Sequence, residues 1–441
     1  MVVMKFGGTS VGSSESIQKV VEIVRSEERQ KIVVLSAFSG VTNLLVQISC
    51  EHERGNENVL ETIQQLEKRC LEVVNPLFQT ATYLQVAKGL IQKRIDGIKT
   101  LIQTPYRPEL TKQTLAQGEL ISTHIFELYL QERNIDGALV SALDFMVLDA
   151  NQEPDIDQIS QNIRPFIGNT DITITQGFIC KDHEGVIANL DRGGSDYTAS
   201  LIGAAVNADE IQIWTDIDGM HNNDPRYVDN TFSVEEVSFD EAAELAYFGA
   251  KILHPQSLIP AKNSNIPVLL KNTFNPEQKG TIIKNSSVNE GVTSIAAKDG
   301  ITAIKIKSYR MLMAYGFLKK VFEVFEDFKT PIDMITTSEV AVSLTIDQDK
   351  HLEEIVEGLQ EFGAVEVDRD LSIVCVAGDF SQNKEGLSAQ VFTALQNIPI
   401  RMISYGGSNY NISLLVKTSD KVEALNALNQ QLFKKQLEPF A

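Results

Sequence analysis

Met1-Val2-Val3-Met4-Lys5-Phe6-Gly7-Gly8-Thr9-Ser10-Val11-Gly12-Ser13 opens the chain. The first four residues are an apolar run short enough for a buried strand, and residues 16–25 carry the apolar spacing of a helix. Between them lies a glycine turn with one lysine. A strand that passes through such a turn into a helix N-terminus builds an anion site. The glycines let backbone N–H groups approach an anion, the helix dipole favours negative charge, and Lys5 adds a mobile cation. The lysine precedes the glycines, so the run is not a Walker A loop. Its spacing also differs from the dinucleotide fingerprint G-x-G-x-x-G. A plain strand-to-helix turn uses the same residue types, so the segment needs company before it means chemistry.

A chain of 441 residues accommodates two or three domains, each with a full core. Its 39 basic and 59 acidic residues leave a net charge of −20, which disfavours binding to nucleic acid or anionic membranes through the overall field. An anionic substrate therefore needs a local cationic pocket, and Lys5, Arg192, Arg226 and Lys251 become the cations of interest. Cys50, Cys70, Cys180 and Cys375 are scattered, without a C-x-x-C pair or a nearby histidine at metal-ligand spacing, and read as reduced core thiols with no metal site. No secretory leader and no apolar run near the roughly 20 residues of a membrane span is present, so a cytoplasmic protein is expected.

Short β-branched runs at 31–35, 137–140, 172–176, 210–214 and 267–270 alternate with helical stretches at 60–73, 83–102, 111–133, 196–206 and 239–250. This rhythm predicts an α/β fold, a mainly parallel sheet covered by helices on both faces, with working loops at the carboxyl ends of strands. Composition turns polar and small after Asn275-Pro276, which sets a domain boundary near residue 291. Beyond it, strand 301–308, helix 316–329, strands 332–338 and 341–346, helix 351–362 and strand 365–371 spell one ferredoxin-like βαββαβ unit. Residues 372–441 spell a second that lacks one strand, and 292–298 can supply it. The expected division is 1–291, then 301–371, then a discontinuous module of 292–300 with 372–441. Tandem modules of this type at the end of an enzyme suggest regulatory ligand binding.

A second paired-glycine turn, Asp191-Arg192-Gly193-Gly194-Ser195-Asp196, again leads from an apolar segment into a helix. Arg192 suits a carboxylate, which it can hold in a bidentate fork. Ser195 and Asp196 stand where helix caps stand, and Asp196 can alternatively hold an active-site lysine by charge. Trp214-Thr215-Asp216-Ile217-Asp218-Gly219 leaves a strand for a polar loop, where a nucleotide base and ribose would lie. Lys251 follows a helix and a glycine, a position that usually only complements a helix dipole.

Together these runs resemble the aspartokinases of the amino acid kinase family. The resemblance is carried, in family order, by Lys5-Phe6-Gly7-Gly8-Thr9-Ser10, Ser36-Ala37-Phe38-Ser39-Gly40-Val41-Thr42-Asn43, Gln117-Gly118-Glu119, Thr175-Gln176-Gly177-Phe178 and Arg192-Gly193-Gly194-Ser195-Asp196. Trp214-Thr215-Asp216, Asp224-Pro225-Arg226, Lys251-Ile252-Leu253-His254-Pro255 and, in the tail, Ile335-Thr336-Thr337-Ser338-Glu339 continue it. It implies an amino-acid-kinase-type α/β/α sandwich followed by two ACT modules. The implied reaction passes the γ-phosphoryl group of ATP to the side-chain carboxylate of L-aspartate, giving 4-phospho-L-aspartate, the entry to lysine, threonine and methionine synthesis. A carboxylate is already a nucleophile at neutral pH, so none of the six histidines needs to act as a base. Catalysis reduces to positioning and electrostatic stabilisation.

By resemblance, Lys5, Gly7 and Gly8 hold the transferring group and Asp196 orients the cationic side. Ser36, Thr42, Glu119, Arg192, Gly193, Gly194 and Ser195 match aspartate-binding positions, with Glu119 meeting the ammonium and Arg192 a carboxylate. Lys5, Phe6, Gly7, Gly8, Thr215, Asp216, His221, Arg226 and Lys251 match the ATP-binding set, and Mg²⁺ would come with the nucleotide. His221 departs from the tyrosine common in the family. In the tail, Met311, Phe317, Leu318, Ile332, Asp333, Ser338 and Glu339 match effector positions of lysine-sensitive members, while Pro331 replaces a frequent serine. A homodimer joined through ACT modules, or a tetramer, follows from the same likeness. Three other readings stay open: a kinase of this fold acting on another acid, a bifunctional enzyme with an added dehydrogenase domain, which is not expected in a chain of this length, and a non-catalytic amino-acid sensor.

Overall fold

A computed structural model describes residues 1–56, 58–190, 193–249, 253–286, 291–311, 315–381 and 386–434. By their contacts, residues 1–220, 235–239 and 253–287 form one compact unit, and 221–234, 240–252 and 288–441 another. The boundary expected at residue 291 is therefore not a single cut, because two earlier segments pack with the second unit.

In chain order the first unit contains β1 (Val2–Phe6), α1 (Ser14–Ser26), β2 (Lys31–Leu35), α2 (Val41–Glu53), α3 (Val59–Leu77), α4 (Ala81–Ile102), α5 (Pro108–Leu115), α6 (Gln117–Glu132) and β3 (Ala138–Leu139). Next come α7 (Ile156–Ile163), β4 (Ile172–Gln176), β5 (Ile179–Lys181), β6 (Ile187–Asn189), α8 (Gly194–Val206), β7 (Glu210–Thr215) and β8 (Glu236–Ser238). After α9 (Phe239–Tyr247), which belongs mainly to the second unit, follow α10 (Ile259–Asn263), β9 (Val268–Asn272) and β10 (Thr281–Lys284).

Eight of these strands make one sheet in the order β3-β4-β2-β1-β7-β9-β10-β8, and every adjacent pair is parallel except β9 with β10. All five positions of β1, β2 and β4 are buried; β1 and β2 accordingly read as nearly continuous apolar runs, whereas β4 alternates isoleucine with threonine. Because β1 lies between β2 and β7, the loops leaving these three strands rise from one end of the sheet, the usual place for a ligand in an α/β fold. The helix expected over 111–133 is two helices meeting at Ala116. Gly118, in the first turn of α6, lies so close to the β2–α2 loop that an added Cβ would stand 2.8 Å from the Ala37 Cβ, and this packing sets the start of α6. Helix 239–250 was also expected to run longer than α9 does.

The second unit holds β11 (Val292–Lys307), α11 (Phe317–Asp327), β12 (Ile335–Thr337), β13 (Ala341–Ile346), α12 (Leu352–Gln360), β14 (Ala364–Gly378), α13 (Leu387–Ala394), β15 (Met402–Tyr405), β16 (Asn411–Lys417) and α14 (Lys421–Leu432). Its antiparallel sheet runs β12-β13-β11-β14-β16-β15. The separate strands expected at 292–298 and 301–308 are the two halves of β11, and the strand expected at 365–371 runs on without a break into the start of the second expected unit, up to Gly378, as β14. Gly300 at φ +75° and Asp370 at φ +57° read as turn residues, yet they lie where the β11–β14 register shifts, so the strands bend without ending. The first half of β11 pairs with the second half of β14, Val292 opposite Gly378 and Lys298 opposite Ile373. One core gathers Ile304, Val342 and Leu344 with Val321, Phe325 and Ile355 from the helices, and another gathers Val374, Val376 and Ile412 with Val391, Leu425 and Leu428.

Cys70, Cys180 and Cys375 are buried, but Cys50 is exposed, so only three of the four thiols belong to cores. Burial pushes the Cys70 and Cys375 thiols up to about 12, which keeps them unreactive. Among the described residues no helix is long and apolar enough to cross a membrane.

Candidate active site

The loop leaving β1 ends where Ser13 caps α1, its hydroxyl accepting from the Ser16 N–H while the Ser16 hydroxyl accepts from the Ser13 N–H. The glycine run is thereby held between a strand and a fixed helix terminus. Gly7 N–H donates to the Trp214 carbonyl, and Ser39 N–H donates to the Gly8 carbonyl. Ser10 is fully buried and its hydroxyl meets that of Thr273 at 2.7 Å. A Cβ on Gly8 would lie 3.0 Å from the Ala37 carbonyl, so the close approach of the two loops favours glycine there.

Lys5, near the end of this apolar strand, is a buried cation, and its Nζ lies 2.5 Å from Asp196 Oδ1 on α8. The α8 N-cap is Gly193, at φ +70° and without a side-chain cap, so the capping role considered for Ser195 and Asp196 is not what the structure shows. Asp196 holds the lysine, and the Ser195 hydroxyl accepts from that of Ser36 at 2.9 Å. Gly177 makes room for this arrangement, since a Cβ there would overlap the Ser195 side chain.

Glu119 has the most unusual environment. An exposed helix glutamate is the ordinary expectation, but this one is 4% exposed. Its Oε1 accepts from the Ala37 N–H at 3.2 Å, while Oε2 is buried without a hydrogen-bond partner. Burial pushes the carboxyl up to about 8, against the opposing pull of the Ala37 amide. Neighbours on α6 fix its backbone: the Ser122 hydroxyl donates to the Ser36 carbonyl, and the Thr123 hydroxyl donates to the Glu119 carbonyl while accepting from Gln176 Nε2. Gln176 Oε1 in turn accepts from the Ala142 N–H. Sequence reasoning missed this buried support, because Gln176 and Thr123 look unremarkable until the sheet and α6 meet.

Gly7, Gly8, Ser36, Thr42, Glu119, Gly194, Ser195 and Thr215 line one cleft of about 550 Å³ in the first unit. The structure thus brings together most of the sequence-predicted residues from β1, β2, α6, α8 and β7. Phe6 contributes only backbone, since its ring is buried and stacked on Trp214. Asp216 follows Thr215 and is exposed, accepting from the Thr215 hydroxyl at 3.2 Å. His221 and Arg226 belong to the second unit. There a His221 ring nitrogen meets the Thr231 hydroxyl at 3.1 Å, and Arg226 grips Asp224, with 2.6 Å between Nη2 and Oδ2. Arg192 and Lys251 lie outside the described residues.

Of the expected effector set, Met311, Phe317, Leu318 and Ile332 pack against the core of the first βαββαβ module. Ser338 N–H donates to the Ala341 carbonyl, and Glu339 is exposed. The Asp333 carboxylate is 2% exposed and already engaged by Lys298 at 2.9 Å and by the Tyr247 hydroxyl at 2.9 Å.

Residues 1–272 match the amino acid kinase family, and residues 374–432 match the ACT domain. Lysine-sensitive aspartokinase 3 of Escherichia coli strain K12 is 34% identical over 453 aligned residues, covering 98% of this chain and 99% of that protein. Chloroplastic aspartokinase 2 of Arabidopsis thaliana is also 34% identical, over 98% of this chain and 84% of the relative. The crystal structure of E. coli aspartokinase III with aspartate and ADP, in its R-state, superposes with a TM-score of 0.85 at 33% identity, covering 98% of this chain and all of that one. The T-state complex with lysine and aspartate gives 0.84 at 34% identity, over 98% of this chain and 99% of the other.

Proposed function

The chain belongs to the amino acid kinase family, among the aspartokinases, and from that premise we propose how its own residues carry the reaction. It transfers the γ-phosphoryl group of ATP to the side-chain carboxylate of L-aspartate. The observation that supports the site assignment best is Glu119: a buried carboxyl with one oxygen unpartnered, lining the same cleft as the Gly7–Gly8 turn. An orphaned acceptor of this kind is costly unless a ligand satisfies it, and an ammonium group does so with charge.

In this reading aspartate places its ammonium on Glu119 and its backbone carboxylate near Ser195 and Arg192, leaving the side-chain carboxylate aimed at the glycine turn. Lys5, held by Asp196, and the Gly8 backbone stabilise charge on the phosphoryl oxygens as it passes from ATP to aspartate, while the Gly7 N–H, committed to the Trp214 carbonyl, fixes the turn. No side chain has to remove a proton, because the nucleophile is already ionised. The close-packed glycine turn and Lys5 suit the phosphates of a nucleotide that would bring Mg²⁺ on its own oxygens. Within the first unit, adenine and ribose are assigned to Thr215 and Asp216.

Catalysis is assigned to residues 1–291, and effector recognition to an ACT module of 301–371 paired with one of 292–300 and 372–441. Lysine is the proposed effector, acting on a cytoplasmic homodimer joined through these modules, with Met311, Phe317, Leu318, Ile332, Asp333, Ser338 and Glu339 around it. The test is to trap acyl phosphate with hydroxylamine, using Mg-ATP with aspartate or glutamate, and to repeat the aspartate reaction with lysine or threonine. Hydroxamate from aspartate only, suppressed by lysine, is the expected result. Suppression by threonine alone would overturn the effector, and no product from aspartate would overturn the substrate.

A further inference from the structure

None of the residues lining the cleft comes from α3, yet one side chain of that helix reaches both loops that shape it. Arg69 Nε donates to the Ser39 carbonyl at 3.0 Å, and Nη2 donates to the Gly12 carbonyl at 2.7 Å. Gly12 belongs to the loop that carries Gly7 and Gly8, and Ser39 to the loop between Ser36 and Thr42. The two loops are already in close contact: a Cβ on Gly12 would stand 2.9 Å from the Ser39 Cβ. The remaining guanidinium nitrogen is 3.9 Å from Glu72, which is largely exposed, so Arg69 is committed to the two carbonyls and not to a strong ion pair. Buried Leu66, Cys70 and Val73 anchor α3 beside it.

We propose that Arg69 is a positioning residue that holds the phosphate loop and the amino-acid loop at one fixed separation, so that occupation of either favours occupation of the other. The inference rests on assigning this cleft to ATP and aspartate. A planar fork with donors at set angles can bridge two carbonyls, whereas a lysine ammonium is a point charge on a flexible stem and reproduces the bridge poorly. Small misplacements of reacting groups cost large factors in rate, and linkage makes such coupling reciprocal between the two ligands.

The experiment compares wild type, Arg69→Lys and Arg69→Met by steady-state kinetics in aspartate and ATP. It adds calorimetric aspartate binding with and without a non-hydrolysable Mg-ATP analogue, and thermal melting. Wild type is expected to bind aspartate at least fivefold more tightly with the analogue present. In Arg69→Met that enhancement should fall towards unity and kcat/KM for aspartate should drop roughly tenfold to a hundredfold, with Arg69→Lys in between and melting close to wild type. If Arg69→Met does not fold, the fall in coupling in Arg69→Lys decides the matter. Coupling and kcat/KM within twofold of wild type in the folded variants would overturn the proposal. So would a wild type without coupling, or a loss of kcat at unchanged KM and coupling with a lowered melting temperature. A wild type with no aspartate-dependent phosphoryl transfer would instead overturn the assignment of the cleft, and this inference with it.

Discussion

Lys5 is buried and its partner Asp196 keeps 16% of its side chain exposed, so removing one partner has two separable consequences. Lys5→Met takes away the charge proposed to stabilise the transferring phosphoryl group and leaves the half-buried Asp196 without its cation. The expected outcome is a fall in kcat of at least about a thousandfold, together with a loss of stability of about 3–5 kcal/mol. The double variant Lys5→Met with Asp196→Asn should recover stability in denaturant titration and none of the activity, and recovered turnover would remove Lys5 from the mechanism. Glu119 gives a pH prediction. Its carboxyl has an ordinary value of 4.5 and is raised to about 8 in the fold, so the folded chain binds the extra proton and this group's contribution to stability declines as pH rises from 4.5 through 8. Glu119→Gln should therefore melt above wild type at pH 8.5 without ligand, and the difference should shrink at pH 5. Aspartate binding has the opposite sign: an ammonium favours the ionised carboxyl, so KM for aspartate should fall as pH rises from 6.5 to 8.5. In Glu119→Gln that KM should be higher by tenfold or more and lose its pH dependence. A variant with wild-type KM at all pH values would defeat the assignment.

At the scale of elements, α8 is placed by a glycine on a different strand. Gly177 follows β4 and is free of a positive φ, so alanine fits its backbone, but the added Cβ would occupy the space of Ser195. Gly177→Ala is expected to push the first turn of α8 away from Ser36 and lower kcat/KM for aspartate by about a hundredfold, with a modest loss of melting temperature. Unchanged kinetics would show that the Ser36–Ser195 contact is dispensable. Much of this layer was legible in the chain, because β1 and β2 are buried on both faces and announce themselves as apolar runs, and because two paired-glycine turns, each beside a lone cation, lead from apolar segments into helices. Less legible was the break at Ala116, two residues before Gly118 packs closely on Ala37, because the apolar spacing runs through it unchanged. The joined halves of β11 and β14 escaped for a related reason: Gly300 and Asp370 look like turn residues, and only the cross-strand register shows that they are bends within a strand. Arg69 had no signal at all, since an arginine on an amphipathic helix reads as a solvated face until its two carbonyl partners come from distant loops.

For the molecule as a whole, a net charge of −20 means that each ligand must find its counter-charge locally, and the second unit shows a local shortage of cations. Lys298 Nζ lies 2.9 Å from both Asp333 and Asp347 and 4.6 Å from the centre of the Tyr247 ring. Burial works against its ammonium form, but the two carboxylates more than offset that and hold its pKa above the ordinary range. Two carboxylates thus share one ammonium, and Asp333 Oδ2 and Asp347 Oδ1 are both buried without a hydrogen-bond partner. A second ammonium could satisfy those oxygens without displacing Lys298, and the proposed effector, lysine, carries two such groups. Asp347, absent from the set read off the sequence, then becomes as important as Asp333. Asp333→Asn and Asp347→Asn should each raise the lysine concentration for half-inhibition by tenfold or more, the scale of about 1.4 kcal/mol for one charge-assisted contact. The measurement is a lysine titration of phosphoryl transfer, with each curve normalised to that variant's own uninhibited rate so that altered folding cancels. A loss of sensitivity in Asp333→Asn alone would confine the effector's ammonium to Asp333, and an unchanged response in both would place the effector elsewhere in the ACT modules.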